Sequence, residues 1–203
     1  MKTLEAIRKR CSLKAHLSRR AIESEKINMI LDAARLAPSA RNSQPWHFIV
    51  VQGKEAVEAL AQTAFLGPGA VVQQAPVIIV VCARPEDDVT IDDKEYYLFD
   101  VGLAVENMLL AATDLGLVTH LMASFNETEV KRILHIPDDV RVVIVTPLAY
   151  PLATSYDEAA KERLGQRTRK DLKEMAYFNK WEEGWFADKR RAIVRYCIHH
   201  QES

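Results

Sequence analysis

The chain has 203 residues, 48% hydrophobic and 27% charged, with a formal net charge of -1. That is enough apolar material to bury one core, in one domain or one domain with an appendage. Acidic and basic residues are interleaved, which argues against a polyanion-binding protein, since such a protein gathers a basic excess on one face.

Leu4, Ile7 and Cys11 mark one face of a short N-terminal helix. Ser24 is placed as the N-cap of a second helix, whose apolar positions run Ile27, Ile30, Leu31, Ala34. Pro38 stops it, because the residue before a proline avoids helical backbone. A polar turn, Ser39 to Gln44, leads into a strand from Trp46 to Val51 that ends at Gly53. Residues 54–64 carry Val57, Leu60, Ala61 and Ala64 at helical spacing, and Gly67-Pro68-Gly69 reads as a loop. Val77 to Cys82 is apolar on both faces and is expected to be a central strand. Arg84 to Asp93 reads as an acidic loop. Residues 95–115 form a long buried helix ended by Gly116; Asp100, Glu106 and Asp114 interrupt its apolar run, so it is not a membrane span. A strand is expected from Val118 to Ala123. Asn126 with Glu129 predicts a capping-box start for a helix carrying Val130, Ile133 and Leu134. Pro137-Asp138-Asp139 turns the chain into a strand from Val140 to Thr146. After Pro151 the sequence becomes a charged, mostly helical tail containing Trp181, Trp185 and a basic last segment.

Cys11, Cys82 and Cys197 lie far apart with no CxxC pair, so neither a disulfide framework nor a zinc site is expected, and a reducing cytoplasm fits. No apolar signal-peptide region follows Met1. The sequence holds no dinucleotide or Walker glycine loop, no nucleophile elbow and no metal-binding histidine motif. His199-His200 reads as exposed tail. The acidic run Glu86, Asp87, Asp88, Asp92, Asp93 lacks the spacing of a calcium loop and reads as solvated. An enzyme built this way takes its reactive group from an organic cofactor held by side chains.

Three segments suit such a cofactor. Arg10-Cys11-Ser12-Leu13-Lys14 offers a forked cation, a hydroxyl and an ammonium, a set suited to a phosphate monoester. Ala37-Pro38-Ser39-Ala40-Arg41-Asn42-Ser43-Gln44-Pro45-Trp46 crowds amide and hydroxyl groups that can both donate and accept, as a heterocycle with alternating carbonyls and ring N–H groups requires. Arg167-Thr168-Arg169-Lys170, placed at the opening of the helical tail, offers two arginines that could close on the same phosphate. Each segment taken alone suits a bland reading better: a solvated basic run, a well-capped connector, a basic helix start.

Together they resemble the nitroreductase family of flavoproteins. Arg10-x-Ser12-x-Lys14 is similar to that family's N-terminal phosphate clamp, and Pro38-Ser39-x-x-Asn42-x-Gln44-Pro45-Trp46 to its most diagnostic motif. Arg167-x-Arg169, followed by Asp171-Leu172 and Trp181, resembles its C-terminal phosphate contact; Asp100-Val101-Gly102-x-Ala104-x-Glu106-Asn107 with Leu115-Gly116-Leu117 resembles its central helix. Ala149-Tyr150-Pro151 replaces the more usual Gly-Tyr-Pro, and Ala123-Ser124 has neither of the commoner family forms.

The resemblance implies an α+β fold with a mixed central sheet flanked by helices, in an intertwined homodimer with FMN at the subunit interface. It implies a nitroreductase-like domain over residues 1–181 and a C-terminal helical extension over 182–203. By the family pattern Arg10, Cys11, Ser12, Lys14, Arg167 and Arg169 surround the phosphate and ribityl end. Pro38, Ser39, Ala40, Asn42 and Gln44 reach the flavin from the partner subunit, and Ala123-Ser124 lies along its reactive edge. The implied chemistry is ping-pong: NADH or NADPH reduces the flavin and leaves, then a nitroaromatic, quinone or related small acceptor takes two electrons. The flavin carries the chemistry, so no catalytic side chain is assigned. Flavin fragmentation, reductive dehalogenation or a non-catalytic flavin-binding role on the same fold remain alternatives. The acceptor and the choice between NADH and NADPH are not legible. No nucleic acid, membrane or metal is expected.

Overall fold

Seven consecutive apolar residues, Val77–Ala83, leave no polar face to give to water, and the chain solves this by burying all of them in strand β2. The computed structural model describes residues 2–14, 16–63 and 73–181. The earlier elements are α1 (Thr3–Lys9), α2 (Ser24–Arg35), β1 (Trp46–Gln52) and α3 (Lys54–Thr63). After β2 come a small hairpin of β3 (Thr90–Ile91) and β4 (Lys94–Glu95), the central helix α4 (Tyr96–Asp114), β5 (Val118–Thr119), α5 (Glu127–Leu134), β6 (Arg141–Ala149) and α6 (Tyr156–Gly165).

The sheet runs β1-β2-β6-β5 with antiparallel neighbours. A parallel bridge between Ser12 and Thr119 adds the mixed element at the β5 edge. Side chains alternate across a strand, so β2 serves two cores. Val77, Ile79, Val81 and Ala83 enter one shared with α2 and α4, including Ile30, Ala104 and Met108. Ile78, Val80 and Cys82 enter another built from α3 and α5, including Leu60 and Val130. Burial pushes the Cys82 thiol up to about 12, so it packs as an apolar group. The result is an α+β layer arrangement with helices on both faces of the sheet.

Several expectations shift. The N-cap of α2 is Glu23, and Ser24 is the first helical residue. In α1 only Ala6 is buried, while Leu4 and Ile7 stay exposed. The acidic stretch before α4 closes as a two-residue hairpin, with Asp92 and Asp93 both at positive φ as a tight hairpin turn requires. The strand expected over 118–123 pairs regularly only at Val118–Thr119, then touches β6 again through Met122 and Val145. Asn126 accepts from Glu129 N–H as expected, whereas the Glu129 carboxylate turns to Arg132. Ala64, Gly67-Pro68-Gly69, Trp185, Cys197, His199-His200 and the extension 182–203 lie outside the described residues. The chain divides into two compact units, Met1–Gln166 and Arg167–Ser203. In the second, residues 167–171 are not helical; one 3-10 turn follows at Leu172–Glu174, and Tyr177 stacks on Trp181.

Tyr150, after β6, ties the sheet to the start of α2. Its hydroxyl donates to the Glu23 carboxylate and accepts from Lys26 Nζ at 2.7 Å, with the Arg20 guanidinium 4.3 Å above its ring. These contacts, the Tyr150 hydroxyl first, hold the Glu23 carboxyl down to about 2. A depressed folded pKa means that the contribution is present above the ordinary glutamate value and is lost as pH falls toward about 2. Tyr150→Phe is expected to return the Glu23 midpoint toward its ordinary value in a carbon-13 carboxyl titration. A midpoint that does not move would remove Tyr150 as the cause.

Candidate functional site

After α1 the backbone is extended, so successive side chains must face opposite ways. Cys11 and Leu13 turn inward and are buried, whereas Ser12 and Lys14 turn out and Arg10 is only partly covered. The segment is fixed on both sides. Leu13 N–H donates to the Thr119 carbonyl at 3.1 Å, and the Tyr156 hydroxyl accepts from Cys11 N–H and donates to the Lys9 carbonyl, both at 3.2 Å. The Cys11 sulfur lies 3.7 Å from the same hydroxyl, so it faces the core while its neighbours face outward.

Arg10, with its side chain 20% exposed, places Nε 3.8 Å from Glu106 of α4. Burial raises the Glu106 pKa and the nearby guanidinium pulls it back down. Next to Thr119, His120 donates its backbone N–H to Thr146 Oγ1, and its ring Nδ1 is buried with no partner among the described residues. Burial first, then the fields of Lys14 and Arg163, lowers the His120 pKa. A forked guanidinium, a hydroxyl, an ammonium and an unsatisfied imidazole nitrogen thus border one edge, a donor set with the chemistry to receive a phosphate.

The second segment is a strained turn. Arg41, Asn42 and Gln44 all have φ between 51° and 58°, a left-handed backbone that non-glycine residues adopt only when surroundings enforce it. Enforcement is visible. Gln44 N–H donates to Ser39 Oγ at 3.0 Å, the Gln44 amide donates to the Asn42 carbonyl at 3.2 Å, and Ala40 N–H donates to Asp100 Oδ2 at 2.6 Å. Ser43 Oγ donates to Asp88 Oδ1 at 3.0 Å. With those groups committed inward, Pro38 and the side chain of Asn42 stay exposed.

Ala123 and Ser124 are exposed, directly after the Met122 contact with β6. Arg167 and Arg169 belong to the second compact unit, where Arg169 donates to the Thr168 carbonyl at 2.7 Å. Arg10, Ser12 and Lys14 are therefore brought together with β5 and α4, and the 39–44 turn is anchored one helical stretch earlier on α4. Tyr156, His120, Asp88 and Asp100 were not singled out as site residues from sequence; a buried acid in an apolar helix was the one visible signal, at Asp100. Among the described residues no cluster fit to hold a metal occurs, and no helix is long and apolar enough to cross a membrane.

The family model described as Nitroreductase family matches residues 7–68 and 66–150. A Methanothermobacter thermautotrophicus protein provisionally named NADH dehydrogenase/NAD(P)H nitroreductase is 38% identical over 155 residues, covering 74% of this chain and 78% of that protein. A crystal structure of a nitroreductase family protein from Clostridium novyi NT is 35% identical, with a TM-score of 0.71, over 93% of this chain and 99% of that one. A solved oxidoreductase containing FMN is 25% identical, with a TM-score of 0.72, over 87% and 91% of the two chains.

Proposed function

The chain belongs to the nitroreductase family, and on that premise we propose that it is an FMN-dependent NAD(P)H oxidoreductase that reduces a nitroaromatic, quinone or related small organic acceptor. The observation that carries this reading is the outward alternation of Arg10, Ser12 and Lys14 beside Thr119 and His120. Arg10 would grip the phosphate as a forked donor, Lys14 would add charge, and Ser12 would fill a remaining oxygen. FMN held there would supply two-electron hydride-transfer chemistry between the reduced nicotinamide and the acceptor. The protein's part is to hold and orient the reactants, which accounts for the lack of an assigned catalytic side chain. The exposed backbone at Ala123-Ser124 would offer N–H groups to the edge where negative charge develops.

The homodimer belongs to this proposal. Leu98 and Phe99 are 49% and 61% exposed on α4, next to the exposed Gly102. An apolar helix with an open apolar side calls for a second surface, and a second copy supplies one. The exposed side chains of the 39–44 turn would then face the partner's flavin. Residues 1–181 would make up the flavin-binding region and residues 182–203 an extension to it.

The test is the visible spectrum of the purified protein before and after NADH or NADPH is added without oxygen. Flavin bands that bleach, and that return on addition of a quinone or nitroaromatic, are the expected result. Protein that takes up no flavin after incubation with FMN would overturn the reading.

A further inference from the structure

The 39–44 turn needs support beyond its own bonds, because each left-handed non-glycine residue costs on the order of 1 kcal/mol. That support comes from two carboxyl groups distant in sequence from the turn and 12 positions apart from each other. Asp100 is buried in α4 and receives Ala40 N–H; Asp88, in the segment before the β3–β4 hairpin, receives both Ser43 Oγ–H and its neighbour Val89 N–H on Oδ1. Among the described residues Asp88 Oδ2 is buried with no hydrogen-bond partner, and Asp100 is the carboxyl group that interacts with Asp88. Two ionised carboxylates in contact would repel, and a buried unsatisfied oxygen is costly. A single proton would resolve both if it were carried on the Asp100 oxygen not engaged by Ala40 and donated to Asp88 Oδ2.

We propose that Asp88 and Asp100 are paired positioning residues that share one proton to hold the 39–44 turn in its left-handed conformation. The role assigned to that turn at the flavin rests on the function proposed above; the pairing does not.

The electrostatics agree. Burial, foremost, and then Asp88 raise the Asp100 pKa, while Ala40 N–H acts against them. Among the described residues no lysine, arginine or histidine acts on Asp100. Arg84, the cation nearest in sequence to Asp88 on its N-terminal side, is engaged by Asp139 and Asp87, and Arg41 on the turn is exposed. A raised folded pKa means that the proton link is complete at low pH and is lost as pH rises through the raised value.

The experiment follows the FMN-incubated full chain across pH by carbon-13 carboxyl shifts, protection factors of the 40–44 amides, and FMN retention. The wild-type protein is expected to show an Asp100 step above the ordinary aspartate range, with protection at Ala40 and Gln44 falling about tenfold at the same pH, the worth of roughly one hydrogen bond. FMN retention is expected to weaken in parallel. In Asp88→Asn the amide can donate to an ionised Asp100, so the pH step in protection should vanish. Asp100→Ala should lower protection of Ala40 at every pH. An Asp88→Asn protein that keeps the wild-type step, or an Asp100→Ala protein with wild-type protection, overturns the proposal. If no FMN binds, the carboxyl and amide signals still decide the pairing, and only the function fails.

Discussion

Protein carrying Arg10→Ala is expected to leave gel filtration folded, in the wild-type oligomeric state and with much less flavin. The proposed contact of its guanidinium with the phosphate is charge-assisted and worth about 1.5–3 kcal/mol. Losing it would weaken FMN binding by roughly one to two orders of magnitude. The Arg10 side chain is largely covered, and the Glu106 carboxylate lies 3.8 Å from it. The single Arg10→Ala variant should also raise the Glu106 pKa further, since the group that lowers it is gone. The ratio of flavin to protein absorbance after gel filtration reads the main effect. Wild-type flavin content in this variant would sink the assignment of Arg10.

Phe99→Glu is expected to give a folded monomer. Phe99 projects from α4 into solvent in the single chain, so its replacement costs the protomer little. Across a twofold interface the same change counts twice. Losing the burial of one aromatic side chain costs about 1.5–3 kcal/mol, so the pair loses about 3–6 kcal/mol before any charge is desolvated. The dimer dissociation constant should rise by at least about a hundredfold. Light scattering coupled to gel filtration measures it, with circular dichroism to confirm folding. A variant that stays dimeric would move the interface elsewhere, and a monomeric wild-type protein would end the dimer proposal.

The sequence was most legible where periodicity and burial coincide. The seven-residue apolar run of β2 and the long apolar stretch of α4 have one stable placement each, and both are found there. It was least legible where tertiary contacts decide. Nothing local in Asp100 announces that it will meet Ala40, 60 positions away. Asp92-Asp93 carries no glycine, so the tight hairpin turn was hidden behind a run that composition marks as solvated. The left-handed backbone at Arg41, Asn42 and Gln44 was likewise invisible, since those residue types do not require it and only the bonds to Ser39, Asp88 and Asp100 impose it. Ser12 and Lys14 were chosen for their chemistry. Their shared outward direction comes from the Thr119 and Tyr156 contacts on either side, which the sequence of the segment does not contain.

The place of β2 in the sheet also governs how the chain must come into being. One neighbour, β1, precedes it, but the other is β6, so Val77 waits for Leu148. During synthesis from the N-terminus, this wholly apolar strand emerges with one side unpaired until residues 141–149 have been made. Long-range antiparallel pairing of this kind slows folding and leaves a sticky edge in the intermediate. Translation speed and early chaperone capture over residues 77–148 should therefore govern the yield of active protein more strongly than the stability of the finished fold.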